Sequence, residues 1–247
     1  MQTVLITGCS SGFGLETARY FLDRDWTVVA TMRQPREDVL PPSDRLRGLA
    51  LDVTDPASIA QAVAEAGPID VLVNTAGIGW LNALEGTPMA AARELFETNT
   101  LGLMAMTQAV LPQMRARRAG VIVNVSSTVT LRSLPLLSVY TASKAAVNAF
   151  TESLALELEP FDVRTRLVLP GRGPDTSFGD NARARMTDGF PDAYADLGRR
   201  VFAVFQEPGP VTHLSDVAEA VWRAATDPSC PMRLPAGADA VAWAEAR

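Results

Sequence analysis

The feature that most constrains this chain is its repeated switch between short apolar runs and longer amphipathic stretches. Residues 3–7, 27–31, 49–51, 69–73, 121–125 and 163–169 are rich in Val, Ile and Leu, and most show no polar alternation. A strand covered on one face alternates, whereas a strand covered on both does not, so these runs read as strands of a buried parallel sheet. Between them, residues 14–24, 56–66, 89–117 and 138–158 have helical length and spacing. Thr54-Asp55-Pro56 is a helix start, with Pro near the first helical position. Strands alternating with helices imply right-handed crossovers. The expected fold is therefore α/β: a doubly wound parallel sheet in three layers, forming a single domain over 1–247. Beyond Leu169 the pattern loosens into a stretch rich in Gly and Pro. A helix-like segment near 192–205, a last helix at 215–226 and a short strand near 232–234 follow. The loose segment 171–212 is expected to act as a substrate loop or lid.

Composition excludes several classes. At 47% hydrophobic and 20% charged, with 17 Gly and 17 Pro, the chain is ordinary for a globular protein. Cys9 and Cys230 are too few for a disulfide framework or a zinc site, and no metal is expected. A net charge of −6 argues against a nucleic-acid partner. The N-terminus lacks the basic stretch of a secretory signal. The longest uncharged segment, 98–114, is interrupted by Asn99, Gln108 and Pro112 and is too polar to span a bilayer. No membrane association and a cytoplasmic location are expected.

The first apolar run leads straight into Thr7-Gly8-Cys9-Ser10-Ser11-Gly12-Phe13-Gly14, which opens the first helix. A diphosphate needs N–H donors at close range, and a helix N-terminus supplies them together with its dipole. Glycines let the backbone turn sharply and approach phosphate without a Cβ in the way. The spacing is Gly-x3-Gly-x-Gly, not the commoner Gly-x-Gly-x2-Gly of dinucleotide-binding loops. Such a turn can also be purely structural. The end of the second run discriminates between nicotinamide cofactors, because an acid there accepts from a ribose 2′-OH while a base accommodates a 2′-phosphate. This chain reads Ala30-Thr31-Met32-Arg33, with no acid before Glu37. Arg33 offers a forked pair of charge-assisted hydrogen bonds, and Ser10 can add a hydroxyl. The alternative is that Arg33 is a solvated surface charge.

The chain has 21 Arg and a single Lys, Lys144. A lone lysine among arginines marks a position that wants a compact ammonium on a flexible stem. Tyr140 stands four residues earlier, so on a helix the two side chains share a face one turn apart. A nearby cation stabilises phenolate, and the pairing is expected to draw Tyr140 down from its usual ~10 toward neutrality. Ser126 and Ser127 follow the apolar run 121–125, at the strand end where ligands bind in open α/β sheets. Each residue alone has a bland reading as packing, loop hydroxyl or surface charge. Their combination with the glycine loop is what carries chemistry.

Taken together, the motifs resemble the short-chain dehydrogenase/reductase family over essentially the whole length. The resemblance rests on Thr7-Gly8-x3-Gly12-x-Gly14, Leu51-Asp52-Val53-Thr54, Asn74-Thr75-Ala76-Gly77, Asn99, Asn124-Val125-Ser126-Ser127, Tyr140-x3-Lys144 and Pro170-Gly171. It implies a catalytic set of Asn99, Ser127, Tyr140 and Lys144, with Ser127 rather than Ser126 as the serine and Asn99 holding a water beside Lys144. It implies NADP(H) contacts from Gly8, Ser10, Ser11, Gly12, Phe13, Gly14, Arg33, Asp52, Val53, Asn74, Ala76, Gly77, Val125, Tyr140, Lys144, Pro170, Gly171 and Thr176. In that set Asp52 meets the adenine and Lys144 grips the nicotinamide ribose. Cys9-Ser10-Ser11, Ala30-Thr31-Met32-Arg33 and the C-terminal Arg233-Leu234-Pro235-x-Gly237-x-Asp239 look like the NADP-linked, 17β-hydroxysteroid dehydrogenase-like and retinol dehydrogenase-like branch. Two departures stand out. Thr75 replaces the family's second Asn, and Pro170-Gly171-Arg172-Gly173-Pro174-Asp175-Thr176 carries one extra residue, which leaves Thr176 open as the nicotinamide clasp.

The activity this implies is hydride transfer between NADP(H) and a small-molecule ketone, aldehyde or secondary alcohol. Apolar residues in the loops, Trp80, Leu81, Leu134, Leu136, Leu137, Phe178, Met186 and Phe190, either line a greasy pocket or belong to the core. Arg172, Arg183 and Arg185 read as solvated, and His213 as a neighbour of a helix cap. An NAD-dependent alcohol dehydrogenase and a non-catalytic NADP-binding regulatory protein are the alternatives. By resemblance, the long stretch 138–158 packs against a second subunit in a homodimer or homotetramer.

Overall fold

Seven strands make one parallel sheet in the computed structural model, which describes residues 2–36, 38–186 and 189–246. They are β1 (Thr3–Thr7), β2 (Thr27–Met32), β3 (Leu46–Ala50), β4 (Val71–Asn74), β5 (Gly120–Val125), β6 (Val163–Pro170) and β7 (Arg233–Ala236). Their spatial order is β3-β2-β1-β4-β5-β6-β7. The helices are α1 (Gly12–Leu22), α2 (Pro56–Ala66), α3 (Met89–Phe96), α4 (Gly102–Arg117), α5 (Ser138–Leu158), α6 (Phe178–Ala184), α7 (Ala195–Gln206), α8 (Leu214–Thr226) and α9 (Ala238–Glu245).

The apolar runs lack alternation because both faces are covered. Val4 and Ile6 of β1, with Val28, Val71, Val121 and Val168, pack against Phe21 of α1 and Val217 and Val221 of α8. Leu5, Val29, Leu72 and Ile122 face the other way, onto Ile59 of α2, Met106 and Val110 of α4 and Leu154 of α5. The three-layer expectation is met, and the chain is one domain. Chain order reverses between β1 and β4, which opens a crevice at their carboxyl ends, the place where open α/β sheets bind ligands.

Several boundaries differ from the sequence reading. The third strand is Leu46–Ala50, not 49–51. It is the sheet edge and half exposed, so its apolar signal is weak and Leu51 falls in the following loop. The fourth begins at Val71, two residues late. The stretch 89–117 is not one helix: a π-helical turn, Glu97–Leu101, separates α3 from α4. Two further helices, α6 and α9, lie in segments without helical periodicity. The start at 54–56 is as expected: Asp55 caps α2 by accepting from Ala57 N at 2.9 Å, with Pro56 at the first helical position.

A buried polar row crosses the layer beneath the crevice. Asn74 Nδ2 donates to Asn124 Oδ1 (2.9 Å) and to Thr107 Oγ1 (3.2 Å), and Asn124 Nδ2 donates to Thr151 Oγ1 (2.8 Å). These bonds lock α4, β4, β5 and α5 in register at fully buried positions. Asn124→Ala leaves Asn74 and Thr151 short of partners and opens a small void. It is expected to cost about 2–3 kcal/mol, read as a lower denaturation midpoint at unchanged slope. A loss below about 0.5 kcal/mol contradicts this account of the row.

Candidate active site

Between Thr7 and Gly12 the chain must reverse above the sheet. Gly8 does so at φ +78°, and a Cβ there would lie 2.9 Å from Ala76 Cα. A Cβ on Gly14 would enter the Gly8 carbonyl oxygen. The loop therefore needs both glycines, one for conformation and one for closeness. Thr7 Oγ1 accepts from Thr75 N and Ala76 N, each at 3.0 Å, and fastens the ends of β1 and β4 together. Replacement of the second Asn by Thr75 thus keeps the backbone turn. Ser11, the N-cap of α1, makes no side-chain cap, and the first turn carries no acid. Uncapped amides and a positive dipole end are what an anion needs.

The end of the crevice beside β2 and β3 is framed by charge. Arg33 is exposed just beyond β2. Asp52 accepts from Thr54 N (2.9 Å) and Thr54 Oγ1 (2.7 Å). Those bonds hold its carboxyl below the usual range, and the Arg33 charge adds to the effect. Val53 is buried against Gly102. Arg36, which the sequence reading passed over, donates from Nη2 to Ser10 O at 2.9 Å. Its only sequence signal is its place three residues after Arg33. Glu37 lies outside the described residues.

The segment after β6 is braced from below. Gly171 N donates to Thr212 Oγ1 (2.9 Å) and Arg172 N to Asp239 Oδ2 (2.6 Å), while Thr212 Oγ1 donates to Asp239 Oδ1 (2.7 Å). Asp239 is buried. It was visible in the sequence only as part of a C-terminal pattern, because its partner Arg172 is 67 residues away in the chain. The extra residue in this segment is absorbed by a turn in which Thr176 Oγ1 donates to Gly173 O at 2.8 Å. Thr176 packs on Gly12, and Gly173 on the Phe13 ring.

The proposed catalytic residues converge. Tyr140 and Lys144 lie one turn apart on α5, both buried. The Ser127 side chain, whose Oγ accepts from Val129 N at 3.3 Å, lies near enough to the Tyr140 phenol to favour its ionised form. Ser126 is different: its Oγ donates to Lys144 O at 3.3 Å, inside the fold. Lys144 Nζ donates to Val125 O at 3.0 Å. Asn99, in the π turn, donates to Ile78 O (2.9 Å) and Ser143 Oγ (3.3 Å) and accepts from Ile78 N (2.8 Å). Gly77 bridges the two halves of the site, since a Cβ there would be 3.1 Å from Asn99 Oδ1 and 3.6 Å from Lys144 Nζ. Asn74 is the outlier, its amide nitrogen committed to the buried row.

One electrostatic expectation fails. Tyr140 is not drawn toward neutrality; burial pushes its phenol up to about 12, against which the Ser127 side chain pulls only partly. Burial also brings Lys144 down to about 8. The ammonium is aimed at the Val125 carbonyl, so desolvation of the phenol outweighs its attraction.

The arginines of 171–212 are not merely solvated either. Arg172 donates to Phe205 O (2.6 Å) and Glu207 O (3.2 Å), and Arg185 pairs with Glu94 of α3 at 3.1 Å. Arg183 pairs with exposed Asp180. Asn82 Nδ2 donates to Gly189 O at 3.0 Å and draws the same segment onto the loop after β4. His213 is the N-cap of α8, 3.0 Å from Asp175, which raises its pKa.

The short chain dehydrogenase family model matches residues 2–186. A 3-ketodihydrosphingosine reductase of Bacteroides thetaiotaomicron is 39% identical over 210 residues, 83% of this chain and 76% of that one. Retinol dehydrogenase 8 of Bos taurus is 42% identical over 182 residues, 69% of this chain and 58% of that one. A short-chain dehydrogenase from Burkholderia cenocepacia, solved in complex with NADP, has a TM-score of 0.77 at 27% identity, covering 99% of this chain and 93% of that chain.

The phenol's burial is directly measurable. Ultraviolet difference titration is expected to show one of the three tyrosines ionising far above the usual ~10, and Tyr140→Phe is expected to remove that step. Loss of an ordinary step instead contradicts the burial.

Proposed function

This chain belongs to the short-chain dehydrogenase family of oxidoreductases, and we propose that it interconverts hydrophobic ketones or aldehydes and secondary alcohols with NADP(H). The observation that carries the reading is the meeting of Ser127, Tyr140 and Lys144 across Gly77 from the glycine loop. The residues fit the cofactor. Gly8, Gly12 and Gly14 leave a cradle without Cβ atoms where Ser10, Ser11 and Phe13 open α1. With the cofactor bound, Arg33 would hold the 2′-phosphate, Asp52 and Val53 would meet the adenine, and Ala76, Gly77, Val125, Pro170, Gly171 and Thr176 would hold the nicotinamide end. Bound there, the cofactor supplies or accepts the hydride.

The chain's own groups handle the proton and the oxygen. Ser127 and Tyr140 donate hydrogen bonds to the carbonyl oxygen. A phenol near 12 is protonated at neutral pH, so Tyr140 stands ready as the acid of reduction. Lys144, near 8, is mostly charged at neutral pH and restores the Tyr140 proton, with Asn99 anchoring the way to solvent. Charge develops on the substrate oxygen in a dry site where aimed donors act strongly.

An apolar wall supports a hydrophobic substrate. Trp80, Leu95 and Val129 pack with Tyr140 in one apolar cluster, and Leu136 packs with Val201 and Phe190 of 171–212, a segment we read as a lid held by Arg172, Arg185 and Asn82. Two relatives are named for a ketone and for an alcohol. NADP in the Burkholderia structure favours the phosphorylated cofactor. The exposed Leu101 and Leu156, with half-buried Phe150 in the apolar groove between α4 and α5, support self-association as a homodimer or homotetramer.

Tyr140→Phe is expected to bind NADPH as the parent does while turnover falls about a thousandfold; activity within tenfold of the parent contradicts the assignment. Reduction is expected to decline as pH rises past about 8, where Lys144 loses its proton; a rate that climbs there contradicts the proton route. Arg33→Asp is expected to weaken NADPH binding about fiftyfold and NADH binding far less. Equal losses for the two cofactors contradict the phosphate role.

A further inference from the structure

Phe178 opens α6, and its ring lies against that of Tyr140, with centroids 5.6 Å apart and planes at 57°. The seat for that ring is a glycine. A Cβ at Gly79 would lie 2.7 Å from Cε1 and Cζ of Phe178 and 3.1 Å from the Ala182 Cβ. Gly79 is buried and its backbone has no positive φ, so its missing side chain answers to the ring and not to a turn. Phe178 nevertheless keeps 38% of its surface exposed. A ring that covers the phenol on one side and meets solvent on the other stands at the entrance to the site, not in the core. It is placed from the phosphate loop, because Phe178 N donates to Thr176 Oγ1 at 3.4 Å and Thr176 packs on Gly12.

We propose that Phe178, seated against Gly79, selects carbonyl compounds whose C=O is joined directly to a flat unsaturated or aromatic group. The inference rests on the carbonyl chemistry proposed above. With the oxygen at Ser127 and Tyr140, the first substituent on the carbonyl carbon must lie beside the phenol, where Phe178 stands. Aromatic rings attract one another offset or edge-on, the tilted arrangement that Tyr140 and Phe178 already share. A flat substituent can take up that geometry, whereas a saturated ring of equal size gains only buried area. Tyr140 itself packs with buried Trp80, Leu95 and Val129, an apolar setting that rewards no charge.

The test compares acetophenone with cyclohexyl methyl ketone, equal in carbon number and differing in flatness. With NADPH, Phe178→Ala and Phe178→Leu are expected to reduce the preference in kcat/KM for the aryl ketone about tenfold. Gly79→Ala is expected to displace the ring and reproduce that loss with Phe178 still present, and the Phe178→Ala/Gly79→Ala double variant is expected to be no worse than either single one. An unchanged preference in all three single variants overturns the inference. A readout independent of turnover accompanies it: removing the ring admits water, so the high alkaline step of Tyr140 is expected to move downward in Phe178→Ala. An unmoved step overturns the covering role. Wild-type protein inert to both ketones overturns the carbonyl reading itself, whereas protein active on both yet insensitive at position 178 overturns only this inference.

Discussion

A single buried ammonium organises this site. Lys144 is 5% exposed and gives a hydrogen bond to the carbonyl at the end of β5. Burying a cation is unfavourable, and the downward displacement of its titration measures that penalty. The position cannot take the arginine found at every other basic site in the chain, because a planar fork with five donors would leave most of them unpaired where one carbonyl is on offer. The constraint fixes α5 against β5, and with it the height of Tyr140 above the sheet and the hydroxyl of Ser127 at the strand end.

Around that cation the fold spends irregular backbone where function needs it. The π turn at Glu97–Leu101 places Asn99 beneath Ile78 and Gly77, and one extra residue per turn there is a local concession often tied to sites. Thr7 fastens the glycine loop to the segment after β4, and buried Asp239 with Thr212 fastens the segment after β6. Side chains rather than sheet bonds thus tie the glycine loop to the segment after β4, and the segment after β6 to the C-terminal part of the chain. Dryness follows from the same arrangement: the phenol stays protonated because it is covered, which suits the reduction of a carbonyl.

Much of this was legible in the chain. Strand runs without alternation declare a sheet covered twice, and the Gly8, Gly12 and Gly14 spacing, the lone lysine and Tyr140 declare the crevice. What escaped was everything decided by distant partners. Arg172 and Arg185 look like surface charges until the backbone carbonyls of 205–207 and Glu94 are brought to them. Asp239 reads as a terminal residue until Arg172 N meets it. The edge strand was misplaced because half-exposed residues carry little apolar signal, and the π turn because local periodicity cannot show an extra residue absorbed within a helix. The titration of Tyr140 was read with the wrong sign because spacing gives the neighbour's charge but not the depth of burial.

The central claim is that this buried constellation moves a hydride onto carbon and a proton onto oxygen. Its most direct measurement uses NADPH carrying deuterium at the transferring position of the nicotinamide, with a hydrophobic ketone, and reads the alcohol by mass spectrometry. The account requires one deuterium bonded to the carbinol carbon and a hydroxyl proton drawn from solvent. An alcohol without deuterium at that carbon, or cofactor that is bound but never oxidised by any apolar carbonyl, contradicts it.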